Sequence, residues 1–166
     1  MGVARMILGI DPGLDGALVL LAKDGEAISL VRDMPTTTGG QGKRAVNGPL
    51  LADAIREAIT ASEDAGERLE AVVEAVGARP GQGVTSMFSF GLGYGTLLGV
   101  LAALGVRHRL VTPATWKRLA KLTGQDKDAA RQLALRLWPE RSVDFQRKAD
   151  TGRADAALIG YFGRIA

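Results

Sequence analysis

The segment from Met6 to Gly13 constrains the fold most strongly, because an apolar run ends there in a carboxylate and a Pro-Gly turn. A run this short is typical of a buried strand, and burial makes the charge of Asp11 costly unless a cation, backbone donors or a metal ion offset it. Asp before Pro-Gly is also common in ordinary turns, so Asp11 alone does not predict a site. The chain becomes apolar again over residues 16–22, which predicts an antiparallel hairpin.

The composition limits the kinds of chemistry that are available. A chain of 166 residues predicts one domain with a sizeable core. The sequence contains no Cys and one His, which excludes thiolate catalysis and Cys-ligated zinc and argues against a His-based metal site or catalytic triad. It shows neither an uninterrupted apolar run of bilayer length nor a secretory signal, so we expect a cytoplasmic protein that does not bind a membrane. Metal chemistry would therefore depend on Asp and Glu.

Charge is distributed unevenly along the chain. Residues 1–106 contain 8 Lys and Arg against 12 Asp and Glu, whereas residues 107–153 contain 12 against 5. This asymmetry predicts a surface that faces a polyanion, attached to a scaffold that carries carboxylates. Solvated helix faces would produce the same pattern.

The remaining pattern predicts alternating strands and helices. A third strand over residues 27–33 completes a meander, and a polar loop follows over residues 35–48. Further strands are predicted over residues 69–76 and 107–111. Helices are predicted over residues 47–65, 85–104, 126–137 and 153–163, with a further helix that starts at Thr112-Pro113.

A second carboxylate, Glu74, lies among apolar residues in the strand over residues 69–76. If this strand lies beside the first, Asp11 and Glu74 repel each other unless a divalent cation bridges them. Alternatively, Glu74 lies on the solvent face of the sheet and contributes only to solubility. Glycines follow it, and Arg79 offers a partner for phosphate. Phe88 and Phe90 are candidates for stacking on bases, although core packing is the simpler explanation for at least one of them.

Two more acids, Asp150 and Asp155, lie just before or within the start of the last predicted helix. A position in the first turn of that helix would by itself explain Asp155, because the helix dipole favours an anion there. A pair of acids ahead of an apolar helix is also what a metal site requires.

In order and spacing, three motifs resemble the RuvC-like Holliday-junction resolvases of the RNase H-like superfamily: residues 9–13 with Gly16, residues 72–74, and residues 152–156. The resemblance covers nearly the whole chain. It implies an α/β RNase H-like fold, with a five-stranded mixed sheet that combines an antiparallel three-strand meander with parallel strands and is flanked by helices. It also implies Mg²⁺-dependent paired cleavage of four-way DNA junctions by a homodimer, and the glycine-rich helix over residues 85–104 is our candidate for part of the dimer interface.

The resemblance also implies a set of metal ligands. Asp11, Glu74 and Asp155 match the family's motif positions around two Mg²⁺ ions, for which we expect Mn²⁺ to substitute. In RuvC the fourth ligand lies one helical turn before the final acid, where this chain has Gly152. Asp150 is our candidate for the fourth ligand, because the local sequence looks like that of the phage branch of the family.

Basic residues are predicted to bind the DNA. Lys117 ends a segment that is similar to the family's Pro-x-x-x-Lys segment, which implies a catalytic role at the scissile phosphate, and Lys127 matches a second lysine. Arg118, Lys121 and Arg153 complete the predicted DNA surface. Generic DNA affinity or a solvated helix surface is the competing explanation for all of them.

Three other functions fit parts of the pattern. Another RNase H-like nuclease would act on RNA–DNA hybrids or on branched DNA without strand symmetry. Residues 9–13 also resemble the phosphate loop of actin-like ATPases and sugar kinases, but those chains contain two such domains, so we predict no nucleotide cofactor. A DNA-binding protein with inactive acids would bind four-way junctions without cleaving them.

Overall fold

The structure is a computed structural model that describes residues 5–22, 25–39, 42–78 and 80–166. Its strands are β1 (Arg5–Ile10), β2 (Ala17–Ala22), β3 (Ala27–Asp33), β4 (Thr36–Thr38), β5 (Arg44–Val46), β6 (Arg68–Glu74) and β7 (Arg107–Val111). Its α-helices are α1 (Gly48–Asp64), α2 (Val84–Ala103), α3 (Pro113–Leu119), α4 (Ala129–Leu137) and α5 (Thr151–Gly163). Two 3-10 segments, Pro139–Asp144 and Lys148–Asp150, lie between α4 and α5.

The main sheet has the strand order β3-β2-β1-β6-β7. The first three strands pair antiparallel, whereas β1 pairs parallel with β6, and β6 with β7. This arrangement confirms the predicted mixed sheet of a meander and parallel strands. Ile10 of β1 lies opposite Val73 of β6, so the residues that follow them, Asp11 and Glu74, are at neighbouring strand ends.

The strands β1 and β2 are buried on both faces of the sheet: successive side chains of a strand point to opposite sides, and a helical layer covers each side. In β1, Ile7 belongs to the apolar cluster that contains residues of α3, α4 and α5, together with Trp138, which follows α4. Its neighbours Leu8 and Ile10 belong to the cluster that contains residues of α1 and α2. The short apolar run therefore forms the central strand between two helical layers.

The helix α5 approaches β1 very closely at Gly9. A Cβ atom at this glycine would lie 2.1 Å from the carbonyl oxygen of Ala156, a distance that no real side chain tolerates. Only glycine therefore permits this contact. The close approach carries the start of α5 to the end of β1.

The structure differs from the predicted element boundaries in several places. Residues 35–48 were predicted as a loop, but β4 and β5 form a short antiparallel hairpin there, with Thr36 opposite Val46. β-branched side chains at these positions favour strands despite the neighbouring glycines. Asn47 then caps α1 through its side chain, which accepts from the backbone N–H of Leu50. The helices α4 and α5 begin three residues later and two residues earlier, respectively, than predicted.

The helix α2 exposes much of its apolar surface. Val84, Phe88 and Leu92 are 83%, 73% and 61% exposed, and their spacing of four residues places them on one face. By length and composition alone, α2 is also apolar enough to cross a membrane. The sequence had indicated no uninterrupted apolar run of bilayer length. One such helix is weak evidence for a membrane span.

Candidate active site

Three of the predicted acids approach one another at one edge of the sheet. Asp11 follows β1, and Glu74 ends the neighbouring parallel strand β6. Asp155 lies in the second turn of α5, because that helix begins at Thr151. The charges of Asp11 and Glu74 both act on Asp155, so residues from three distant parts of the chain form one electrostatic group.

The turn after β1 holds Asp11 in place. Its backbone N–H donates to the carbonyl oxygen of Ala17 at 3.0 Å, and its Oδ1 accepts from the N–H of Gly13 at 3.1 Å. Burial raises the pKa of Asp11, and the Gly13 hydrogen bond opposes that rise. The negative charge of Asp15 raises the pKa further, whereas Lys117 lowers it. Asp11 is therefore a largely buried carboxylate with a cation close by.

Among the three acids, Asp155 has the most strongly shifted pKa. Burial, followed by the charge of Asp11, raises its pKa to about 7, although Lys117 opposes the rise and Glu74 adds to it. Three carboxylates in this setting cannot all ionise without cost, because each desolvated charge repels the others. A divalent cation would remove that cost.

The side chain of Glu74 is oriented by a residue that the sequence did not single out. The indole Nε1 of Trp116 donates to Oε1 of Glu74 at 2.8 Å. Trp116 is completely buried, and a buried indole N–H requires an acceptor. From the sequence, a buried Trp116 could be expected to donate to some acceptor, but the sequence did not identify Glu74 as that acceptor.

Tyr94 is a second neighbour of Glu74 that the sequence analysis did not select. Among the described residues its buried hydroxyl makes no hydrogen bond of normal geometry. Burial raises the pKa of Tyr94, the Val76 backbone opposes the rise, and the negative charge of Glu74 adds to it.

Asp150, the predicted fourth ligand, lies in a different environment. It is 2% exposed, and its Oδ1 and Oδ2 accept from Nη2 and the backbone N–H of Arg147 at 2.7 and 2.9 Å. Nη1 of Arg153 lies 3.7 Å from Oδ1. The Arg147 hydrogen bonds hold the pKa of Asp150 below its usual range. In this structure Asp150 therefore forms ion pairs with two arginines, and its role as the fourth ligand stays a prediction.

The position one turn before Asp155 cannot supply a ligand either. A Cβ atom at Gly152 would lie 2.0 Å from the carbonyl oxygen of Asp15. Only glycine fits against this backbone.

The two predicted lysines lie beside the acids. Lys117 is exposed at α3, its charge acts on both Asp11 and Asp155, and its Nζ lies 5.3 Å from the centre of the Trp116 ring. Lys127 lines a cavity of about 330 Å³ together with Lys117 and Asp155.

The other predicted DNA-binding residues differ in accessibility. Arg118 and Lys121 are exposed on α3 and the turn after it. Arg153 is only 21% exposed in its side chain and forms two hydrogen bonds with Asp33, at 2.6 and 2.7 Å, so a DNA contact would compete with this pair. Arg79 lies outside the described residues.

A cleft of about 770 Å³ opens beside the acids and is lined by Asp11, Glu74, Phe90, Pro113 and residues of the loop after β6. Phe90 is half-buried at its wall, where a base could reach it. Phe88 does not line this cleft and instead belongs to the exposed face of α2.

The donor chemistry of the acid group fits a hard divalent cation. Its ligand atoms would be carboxylate oxygens, which suit Mg²⁺ and Mn²⁺. Within residues 5–22, 25–39, 42–78 and 80–166, however, no three Asp, Glu or His side chains converge as a preformed metal-ion site. The acids would therefore have to close around an ion.

Comparisons with known proteins address the fold. Neither a protein-family model nor a curated protein matches the sequence. Among solved structures, Thermus thermophilus RuvC matches with a TM-score of 0.57 and 17% identity over 96% of both chains. T. thermophilus RuvC in complex with a Holliday junction substrate matches at 0.53 and 14%, over 97% of this chain and 96% of that chain.

A third structure, the yeast mitochondrial Holliday junction resolvase Ydc2, also has a TM-score of 0.53 and 14% identity, over 96% of this chain and 78% of Ydc2. The chain therefore has the RuvC-like fold that its three motifs predict, while its assignment to the phage branch stays a prediction.

Proposed function

We propose that this protein is a structure-selective endonuclease that resolves four-way DNA junctions by divalent-metal-dependent cleavage of phosphodiester bonds. The observation that carries the proposal is the electrostatic convergence of Asp11, Glu74 and Asp155 at the end of two parallel strands. The fold around them is similar to that of T. thermophilus RuvC, one structure of which is in complex with a Holliday junction substrate.

In this proposal Asp11, Glu74 and Asp155 hold Mg²⁺, and Mn²⁺ substitutes for it. Divalent ions bound there would polarise a water molecule and offset the negative charge of the scissile phosphate. Asp155 must lose its proton before it can bind a cation, so its raised pKa ties activity to pH. Asp150 joins the group only if it gives up its hydrogen bonds to Arg147.

The lysines bind and neutralise the DNA backbone. Lys117 is exposed and close to both Asp11 and Asp155, so its ammonium group can contact a phosphate at the site without leaving the acids. Lys127 extends the positive charge along the neighbouring cavity. Arg118 and Lys121 contact more distant phosphates, which strengthens binding and makes it salt-dependent.

Paired cleavage of a four-way junction requires two active sites related by two-fold symmetry, and a homodimer supplies them. The exposed face of α2 formed by Val84, Phe88 and Leu92 is the surface we propose for the second copy. An apolar stripe of this kind is stabilised when a partner covers it.

The decisive assay uses a synthetic four-way junction with one labelled strand in each reaction. With Mg²⁺ the wild type should cut two strands of like polarity, and Asp11→Asn should abolish the cuts without reducing junction binding. Asp53→Asn, which removes a charge from the exposed side of α1, is the matched control and should cleave normally. Cleavage of an RNA–DNA hybrid in preference to the junction would support a different RNase H-like nuclease, and junction binding without cleavage would refute nuclease activity.

A further inference from the structure

Trp116 connects the apolar core to the acid group. Its side chain is completely buried among residues of the sheet, α4 and α5, yet its Nε1 donates to Glu74 at 2.8 Å. Glu74 lines the 770 Å³ cleft together with Asp11. A rigid core residue thus contacts a carboxylate at the edge of the cleft.

The backbone fixes the relative position of the two residues. Glu74 pairs with Val111 at the ends of β6 and β7, and the N–H of Ala75 donates to the Val111 carbonyl oxygen at 2.7 Å. Thr112 then caps α3, accepting from the N–H of Thr115 at 3.2 Å. Four residues therefore separate the end of β7 from Trp116, and hydrogen bonds constrain this short connection.

The second tryptophan provides a comparison within the same core cluster. Trp138 is also buried, and its Nε1 donates at 2.9 Å to the backbone carbonyl oxygen of Gly25. Core packing of an indole is thus compatible with a backbone acceptor. Trp116 instead donates to an acid of the electrostatic group, and the next residue, Lys117, acts on Asp11 and Asp155.

We propose that Trp116 is a positioning residue, whose indole N–H fixes the orientation of the Glu74 carboxylate so that it binds a divalent cation together with Asp11 and Asp155. The inference rests on the proposed function. Hydrogen bonds from neighbouring groups to a metal-binding carboxylate restrict its rotation, and their removal commonly weakens metal binding by about 10- to 100-fold.

The test compares Trp116→Phe with Trp138→Phe, because each variant removes one buried indole N–H from the same core cluster. The first measurement is Mn²⁺ affinity by calorimetry. Trp116→Phe should weaken binding by about tenfold or more, and Trp138→Phe should bind as the wild type does. The Michaelis constant for the junction should stay unchanged in both variants, because Phe at position 116 keeps an aromatic ring beside the Nζ of Lys117, and Trp138 lies in the core.

A second measurement needs no variant of Trp116 and remains informative if Trp116→Phe fails to fold. The chain contains two tryptophans, so a ¹⁵N-labelled protein gives two indole N–H resonances, which Trp138→Phe assigns. Addition of Mg²⁺ should shift the Trp116 resonance and leave that of Trp138 in place.

The outcomes separate the two proposals. A wild type that binds Mn²⁺ and cleaves junctions, combined with unchanged affinity in Trp116→Phe or an unmoved Trp116 resonance at metal saturation, overturns the positioning role alone. A wild type that neither binds Mn²⁺ nor cleaves junctions overturns the proposed function and, with it, the role of Trp116.

Discussion

Replacing Asp155 by Asn should change how the stability of the metal-free protein depends on pH. The pKa of Asp155 is raised from 3.8 to about 7 in the folded protein. Between these two values the folded state binds more protons than the unfolded state, so the free energy of unfolding falls as pH rises. The stabilisation is fully present below the unfolded pKa and is lost as pH rises through about 7.

The magnitude follows from the size of the shift. A shift of about 3 units is worth about 4 kcal/mol over the whole titration, and about 2.5 kcal/mol of it is lost between pH 5 and pH 8. For a chain of this length, that loss lowers the melting temperature by about 5–10 °C. Asp155→Asn resembles the protonated carboxyl and should not show this loss.

Thermal unfolding in EDTA across pH 5–8 measures the difference between the two proteins. Asp64→Asn, which neutralises an exposed acid at the end of α1, is the control and should keep the wild-type pH dependence. Mg²⁺ at pH 8 should restore stability to the wild type but not to Asp155→Asn. If the melting temperatures of the wild type and Asp155→Asn differ by the same amount at every pH, Asp155 is not electrostatically perturbed and the reasoning fails.

Three further predictions concern the fourth ligand, the packing of α5 and the dimer. Asp150→Ala should lower the free energy of unfolding, measured in urea, by about 2–3 kcal/mol, since it removes charged hydrogen bonds to Arg147. The variant should leave Mn²⁺ affinity unchanged; a large loss of affinity would identify Asp150 as a ligand. Gly152→Asp should lower the free energy of unfolding by about 3 kcal/mol or more, because the new Cβ collides with backbone. The control Gly91→Ala, whose methyl group meets no described atom within 4 Å, should show no such loss in the same urea unfolding experiment. Phe88→Glu combined with Leu92→Glu should yield monomers in sedimentation, while the exposed control Val143→Glu sediments as the wild type; a wild type that is already monomeric contradicts the proposed interface.

The burial of β1 was predictable from its hydrophobic pattern, whereas its parallel pairing with β6 was implied only by the family resemblance. Residues 6–10 are apolar on both faces, which requires a helical layer on each side and therefore a central strand. The hairpin over residues 36–46 was not predictable in the same way, because its strands have three residues each and no buried face. Short strands of this kind depend on local pairing, which composition does not reveal.

The partners of Asp150 could not be ranked from the sequence, and its role as a metal ligand stays a prediction. The resemblance to the phage branch favoured a site that Asp150 shares with Asp155. In the structure its carboxylate pairs with Arg147, three residues upstream, because a buried carboxylate is stabilised by a neighbouring cation. Sequence spacing alone does not rank these competing partners.

Glycines determine how closely the acids approach one another, and helix propensity does not predict this role. Glycine destabilises a helix by its low propensity. Gly160 of α5 nevertheless lies so close to β1 that an added Cβ atom would be 3.0 Å from the Cα of Gly9. Gly152 makes a similar backbone contact at the start of α5. Because these contacts set the distance between α5 and the end of β1, they also set the strength with which Asp11 raises the pKa of Asp155. A chain that kept all three acids but carried a side chain at position 152 would hold Asp155 farther from Asp11, and would lose the part of the pKa rise that Asp11 causes together with affinity for a shared cation.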